Sequence, residues 1–304
     1  MTQRQYDSSL APSLSVVIPV YNDWKPLEEC LRSLAGQADA PDFEVILVDD
    51  GSTQTAPEFI RSAAGGHPFT VIQQAHAGIA AARNRGIRAA KGQVLVFVDA
   101  DCRLQPDCLA TLTAVIAGAP QHDCYQLRLV GNCSTLVGRA EHLRLLSFQN
   151  YMLQPDGRVR YLNTAGFAIR RERAEIETGV FDPAALRAED TLLLAHLIQD
   201  GKLPLFVPGA IVEHAIPLSL LQCVRKDLQS VPLEDRAYGI IASKGVRIRI
   251  TNRDRLSLLR SMWKTSAQNS IGRSAWLVLV VRQSLQRMIS FAYRALRIRP
   301  ATQV

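Results

Sequence analysis

Acidic residues are missing from the last part of this chain. From Arg255 to Val304 there are nine Lys or Arg and no Asp or Glu. Long apolar runs are missing as well, and none approaches the ~20 residues that a membrane-spanning helix needs. The N-terminus, MTQRQYDSSLAPS, lacks the apolar core of a secretory leader. The six cysteines (30, 102, 108, 124, 133 and 223) form no C-x-x-C pair and no zinc spacing. They read as buried free thiols in a reducing compartment, not as disulfides or a metal cage. No G-x-G-x-x-G follows the first apolar segment, and no G-x-x-x-x-G-K-[ST] occurs. Dinucleotide oxidoreductases and P-loop ATPases thereby lose their main support. These absences lead us to expect a cytoplasmic protein.

What is present is globular. Of 304 residues, 47% are hydrophobic and 21% charged, enough for a substantial core. Length allows one large domain or two smaller ones. The net charge of +7 sits in the tail, which leaves the rest close to neutral.

Strand and helix signals alternate through the first 120 residues. LSVVIPVYN (14–22) reads as a buried strand ended by Pro19 and Asn22. PLEECLRSL (26–34) places Leu27, Cys30, Leu31 and Leu34 on one helical stripe, with Asp23 or Asn22 as its cap. FEVILVDDGST (43–53) and FTVIQQ (69–74) read as strands, and AGIAAARNRGIRAAKG (77–92) as a helix closed by Gly92. VLVFVDADC (94–102) is a strand running into two acids, and PDCLATLTAVIAG (106–118) is helical. Short connections between alternating elements predict parallel strands joined by crossover helices, hence an α/β sheet covered on both faces. Ligands bind such sheets at the carboxyl ends of the strands. Asp49-Asp50 and Asp99-Ala100-Asp101 both lie there, so they are expected to line one crevice.

Beyond residue 120 the pattern is less regular. We expect a strand at 124–132, helices at 138–152 and 188–202, a short strand at 164–172, and two short strands within 203–217.

Two carboxylates one residue apart at a strand tip make a hard anionic oxygen site. That suits Mg²⁺ or Mn²⁺, which complete their shells with water and phosphate oxygens. A solvated acidic turn is the plainer alternative. Asp50, at the tip of an earlier strand, is placed to accept hydrogen bonds from a ribose or base, while Ser52 or Thr53 caps a helix over APEFIRS.

Taken in order, SVVIPVYN, FEVILVDDGST, GIAAARNRGIRAAKGQVLVFVDADC, NTAGFAIRRE and AEDTLLLAHLIQDGK resemble the family 2 glycosyltransferases of the GT-A fold. The resemblance runs from about 14 to 217. It implies a Rossmann-like mixed sheet, mostly parallel, with helices on both faces and a C-terminal helical extension. It divides the chain into a glycosyltransferase domain (1–217) and a basic helical extension (218–304). The domain would have a nucleotide-binding half (14–120) and an acceptor-binding half (121–217).

The resemblance also implies roles. Pro19, Val20, Tyr21 and Asn22 would border the nucleotide, and Asp50 would accept from its base, usually uracil. Arg83, Asn84, Asp99 and Ala100 would lie along the donor. Asp101 would hold the divalent metal, aided by Asp99 and by His214, whose alternative is a packing histidine. Of Glu189-Asp190, Asp190 would be the general base and Glu189 its support. Adjacent helical residues point about 100° apart, so only one faces the acceptor squarely. The implied reaction is inverting transfer from a nucleotide-diphospho-sugar, most simply a UDP-sugar, to a hydroxyl of a glycan or lipid-linked acceptor. Rival readings are a nucleotidyltransferase of similar fold and a non-catalytic sugar- or lipid-binding protein. The first would carry a Gly-rich loop after the first strand, and IPVYNDWKP has none.

Residues 270–300 mix apolar residues with Arg282, Arg287, Arg294, Arg297 and Arg299. Two readings stand: an amphipathic helix on an anionic membrane at the inner face of the cell, or a helix packed on the domain. Nucleic acid is not expected, because no stacking motif accompanies the basic residues.

Overall fold

The computed structural model describes residues 13–63, 65–174, 179–183, 188–214, 219–243, 252–268 and 271–296. Among these, eight strands form one sheet: β1 (Leu14–Val20), β2 (Phe43–Asp49), β3 (Phe69–Gln73), β4 (Val94–Phe97), β5 (Cys102–Leu104), β6 (Cys124–Gly131), β7 (Phe167–Arg170) and β8 (Leu205–His214). Their spatial order is β3-β2-β1-β4-β7-β6-β8-β5. Four neighbouring pairs are parallel and three, all involving β7 or β5, are antiparallel.

The apolar runs are long because both faces of these strands are buried. Val16, Ile18, Val45, Leu47, Val94 and Val96 face one way, against α1 (Trp24–Ala35) and α4 (Cys108–Gly118). Val17, Ile46, Val48, Leu95 and Phe97 face the other way, against α3 (Ile79–Ala89) and α6 (Glu189–Gln199). The alternation is the strand period of two, applied to two cores at once. Gly86 lets α3 approach β1 closely, for a Cβ there would lie 2.3 Å from Val17 Cγ1.

Several expectations change. Of the stretch 203–217, the described residues 203–214 hold one strand, not two: its pairing with β6 skips from Val207 to Ile211, so Pro208 to Ala210 form a bulge within β8. Strand β5 has no sequence signal, being three residues long. Asp23 makes no capping bond to α1; instead Asn22, at φ 58°, accepts at Oδ1 from the backbone N–H of Thr53 and Gln54. Ser52 and Thr53 cap no helix, since α2 (Phe59–Ala63) starts six residues on.

Three further helices follow: α7 (Leu220–Ser243), α8 (Asn252–Gln268) and α9 (Arg273–Leu296). Helices α8 and α9 bury Leu258, Met262, Ala275 and Leu279 against Leu143 of α5 (Leu136–Met152). The boundary expected at 217/218 lies outside the described residues, as do 270 and 297–300 of the basic tail.

Candidate active site

The carboxyl ends of β1, β2 and β4 lie side by side in the sheet. At the end of β2, the chain turns at Gly51, whose φ of 75° suits glycine. Asp49 Oδ1 accepts from Ser52 N at 2.9 Å and closes this turn. Asp50 is buried, and its two oxygens are occupied by one loop. Oδ1 accepts from Gln74 Nε2 at 2.7 Å and Ala77 N at 2.9 Å. Oδ2 accepts from Gly78 N at 2.9 Å and lies 2.9 Å from His76 Nδ1. These four contacts fill the usual acceptor capacity of a carboxylate. Asp50 therefore anchors the 74–78 loop. Above it, the His76 ring stacks on Tyr21 at 4.2 Å, and Tyr21 is exposed. Pro19 and Val20 are buried inside β1, so of the first loop only Tyr21 and Asn22 reach the surface.

At the end of β4, the two acids separate. Asp99 Oδ1 accepts from Arg83 Nη2 at 2.7 Å. The other guanidinium nitrogen, Nη1, donates to Glu189 Oε1 at 2.5 Å. Arg83 is only 1% exposed, so a buried cation from α3 joins the β4 tip to the start of α6. Removing one partner of such a buried cluster strands the others, at about 3–5 kcal/mol. Asn84, the next residue, binds elsewhere: Nδ2 donates to Phe181 O at 2.6 Å and Oδ1 accepts from Phe181 N at 3.0 Å. Its task is to hold that segment against α3. Ala100 is buried beneath the turn.

Asp101 lies on the other side of the turn, with one oxygen 3.3 Å from His214 Nε2. Strand pairing accounts for this, because Cys102 sits opposite His214 in the β5–β8 ladder. Asp101, Cys102 and His214 each offer a ligand atom within 4.8 Å of the others. Burial alone would lower the His214 value, but Asp101, Asp99 and Glu141 together raise it. Burial opposes ionisation of Asp101, yet His214 and then Lys226 hold its carboxyl below the ordinary range. Burial, reinforced by Asp99 and Asp101, pushes the Cys102 thiol far up, so it is protonated here. Lys226 stands on α7, so the C-terminal helices contribute charge to this site. The carboxylate oxygens suit Mg²⁺ or Mn²⁺, and the imidazole of His214 offers a nitrogen beside them.

The Glu189-Asp190 pair opens α6, preceded by Ala188 in a left-handed conformation (φ 63°). A residue with a Cβ adopts that conformation at a cost of about 1 kcal/mol. Glu189 turns inward to Arg83. Asp190 Oδ1 accepts from Thr191 N at 2.6 Å and Thr191 Oγ1 at 3.1 Å. Burial first, and the Glu189 charge second, push the Asp190 carboxyl up to about 7. Desolvation and a neighbouring like charge both favour the protonated form of this carboxyl.

Residues 15–177, more than half of the chain, match the family model described as Glycosyl transferase family 2. The chain belongs to glycosyl transferase family 2. Within the family, it is 40% identical over 100 residues to "Uncharacterized glycosyltransferase YibD" of Escherichia coli (strain K12), covering 33% of this chain and 29% of that one. It is 40% identical over 114 residues to "Validoxylamine A glucosyltransferase" of Streptomyces hygroscopicus subsp. limoneus, covering 36% and 25%. The aligned part is thus less than a third of either relative. Two solved structures share the fold. S. aureus TarS 1-349 in complex with UDP superposes with a TM-score of 0.56 at 17% identity, over 93% of this chain and 91% of that one. Mannosyltransferase PcManGT from Pyrobaculum calidifontis in complex with GDP-Man and Mn2+ gives 0.58 at 19% identity, over 98% and 84%.

The structure brings together residues that sequence reading had kept apart. His76 and Gln74 were not candidates, and neither was Cys102 as a neighbour of His214. No local signal marks them, since their partners come from other strands.

Proposed function

We propose that this family 2 chain is an inverting, divalent-metal-dependent glycosyltransferase. It moves a sugar from a nucleotide-diphospho-sugar, taken to be a UDP-sugar, to a hydroxyl of a glycan or lipid-linked acceptor. One observation carries the reading: a buried Arg83 ties the D-x-D turn to the Glu189-Asp190 pair. Asp99 of the acidic turn and Glu189 beside Asp190 thus flank one guanidinium. The UDP complex of TarS and the GDP-Man and Mn2+ complex of PcManGT, both of similar fold, support the donor and metal classes.

In this reading, the Tyr21–His76 stack is the ledge for the base, and Asp50 keeps the ledge in place. Asp101 and His214 would hold Mg²⁺ or Mn²⁺, aided by Asp99. A bound divalent cation supplies neutralising charge for the departing diphosphate. Glu189 and Arg83 fix the start of α6. Asp190, with Oδ1 tethered to Thr191, uses its other oxygen to take the acceptor hydroxyl proton. The acceptor oxygen then forms its bond to the anomeric carbon as the bond to the nucleoside diphosphate breaks on the opposite face. One displacement inverts the centre. Residues 14–120 serve as the nucleotide-binding half, 121–217 as the acceptor-binding half, and 218–304 as the extension.

The test is UDP-sugar hydrolysis with Mn²⁺ by the wild type and by Asp101→Ala and Asp190→Ala. Both variants should lose activity. Equal activity in all three would end the catalytic reading.

A further inference from the structure

The tail left two alternatives, a packed helix or a helix on lipid. In the structure, α9 has one face of each kind. Its inner face buries Ala275 and Leu279 against α5 and α8. Arg282 also turns inward, 3.5 Å from Glu141. The outer face is apolar and open. It carries Leu277, Val281, Leu285, Met288 (68% exposed) and Phe291 (75% exposed). Steps of four, four, three and three residues align these on one stripe about four turns long. A solvated helix face normally carries charged residues there. Contiguous exposed apolar area of this kind marks an interaction surface.

Charge selects the partner. Exposed Arg287 edges the stripe, exposed Arg260 and Lys264 stand on α8, and no acid follows Asp254. A second copy of this chain would bring the same positive charge to the contact and be repelled. An anionic bilayer offers an apolar interior beneath negative head groups, matching both features. Among the described residues, no helix is long and apolar enough to cross a membrane, so the contact runs along the surface.

We infer that the outer face of α9 lies on an anionic membrane, its apolar stripe at the acyl boundary and Arg287 beside it at the phosphates. The inner face keeps α9 joined to the domain through α5, so the whole chain is held at the lipid surface. The inference does not rest on the glycosyl-transfer reading, and its test needs no nucleotide.

The full chain is floated with vesicles of phosphatidylcholine alone and of phosphatidylcholine mixed with phosphatidylglycerol. Binding should be strong on the mixed vesicles, weak on the neutral ones, and reduced by added salt. The double variant Met288→Ser, Phe291→Ser should bind mixed vesicles roughly tenfold or more weakly, having lost two large apolar groups. Both side chains are exposed, so circular dichroism should show an unchanged fold. Arg287→Glu should weaken binding with the apolar stripe intact. Equal flotation of wild type and double variant would overturn the inference. So would equal binding to both vesicle types, or a wild-type dimer that the double variant dissolves.

Discussion

Replacing Asp190 with Asn should stabilise the protein above neutral pH while abolishing transfer. The carboxyl rises from 3.8 to about 7, through burial and then the Glu189 charge; Thr191 and Arg83 oppose the rise without cancelling it. A folded-state value above the unfolded one means that the folded chain retains a proton the unfolded chain has released. Stability from this group is therefore complete below about pH 4, falls as pH rises, and is gone above about pH 7. The full rise corresponds to at most about 4 kcal/mol, and solvent at this half-buried site reduces it. Asn keeps an oxygen for the two Thr191 bonds and carries no charge. Urea unfolding at about pH 4 and about pH 8 measures the difference. Wild type should lose stability between the two by roughly 2–4 kcal/mol more than Asp190→Asn. Parallel pH dependence, or a variant less stable than wild type at the higher pH, would refute the claim that Asp190 is a desolvated carboxylate.

Arg83→Met should cost about 3–5 kcal/mol in urea unfolding by leaving Asp99 and Glu189 unpaired, and Arg83→Lys should cost less. An Arg83→Met protein as stable as wild type would remove the clamp from the account. Gly86→Ala should destabilise by about 1–3 kcal/mol, because the new methyl meets Val17, and Val17→Ala in the same chain should recover part of the loss. Additive effects in that cycle would contradict the close approach of α3 to β1. Asp50→Asn turns two acceptor positions into donors that face Gly78 N and His76, so amide exchange at Ala77 and Gly78 should accelerate roughly tenfold or more. Unchanged protection there would show that Asp50 does not anchor the loop.

Sequence alone determined the elements of residues 14–120 apart from β5, and the places where their strands end in acids. The physical reason is local. A strand buried on both faces must be apolar or pair its polar groups internally: 94–98 is apolar throughout, 14–20 and 43–48 break the run only at Ser15 and Glu44, which bond to each other, and a carboxylate at the tip is visible as the end of the run. The order of the motifs along the chain likewise carries the family signature. Tertiary structure decided which charges meet. Arg83 reaches Glu189 across 106 positions, and Asp101 reaches His214 only because β5, three residues long, pairs antiparallel with β8. Such partners depend on how the sheet closes, and no periodicity in the chain encodes that closure. Burial decided the rest. It occupied Asp50 with its own loop, turned Asn84 toward Phe181, raised Asp190, and left one face of α9 open while its opposite face joined the core.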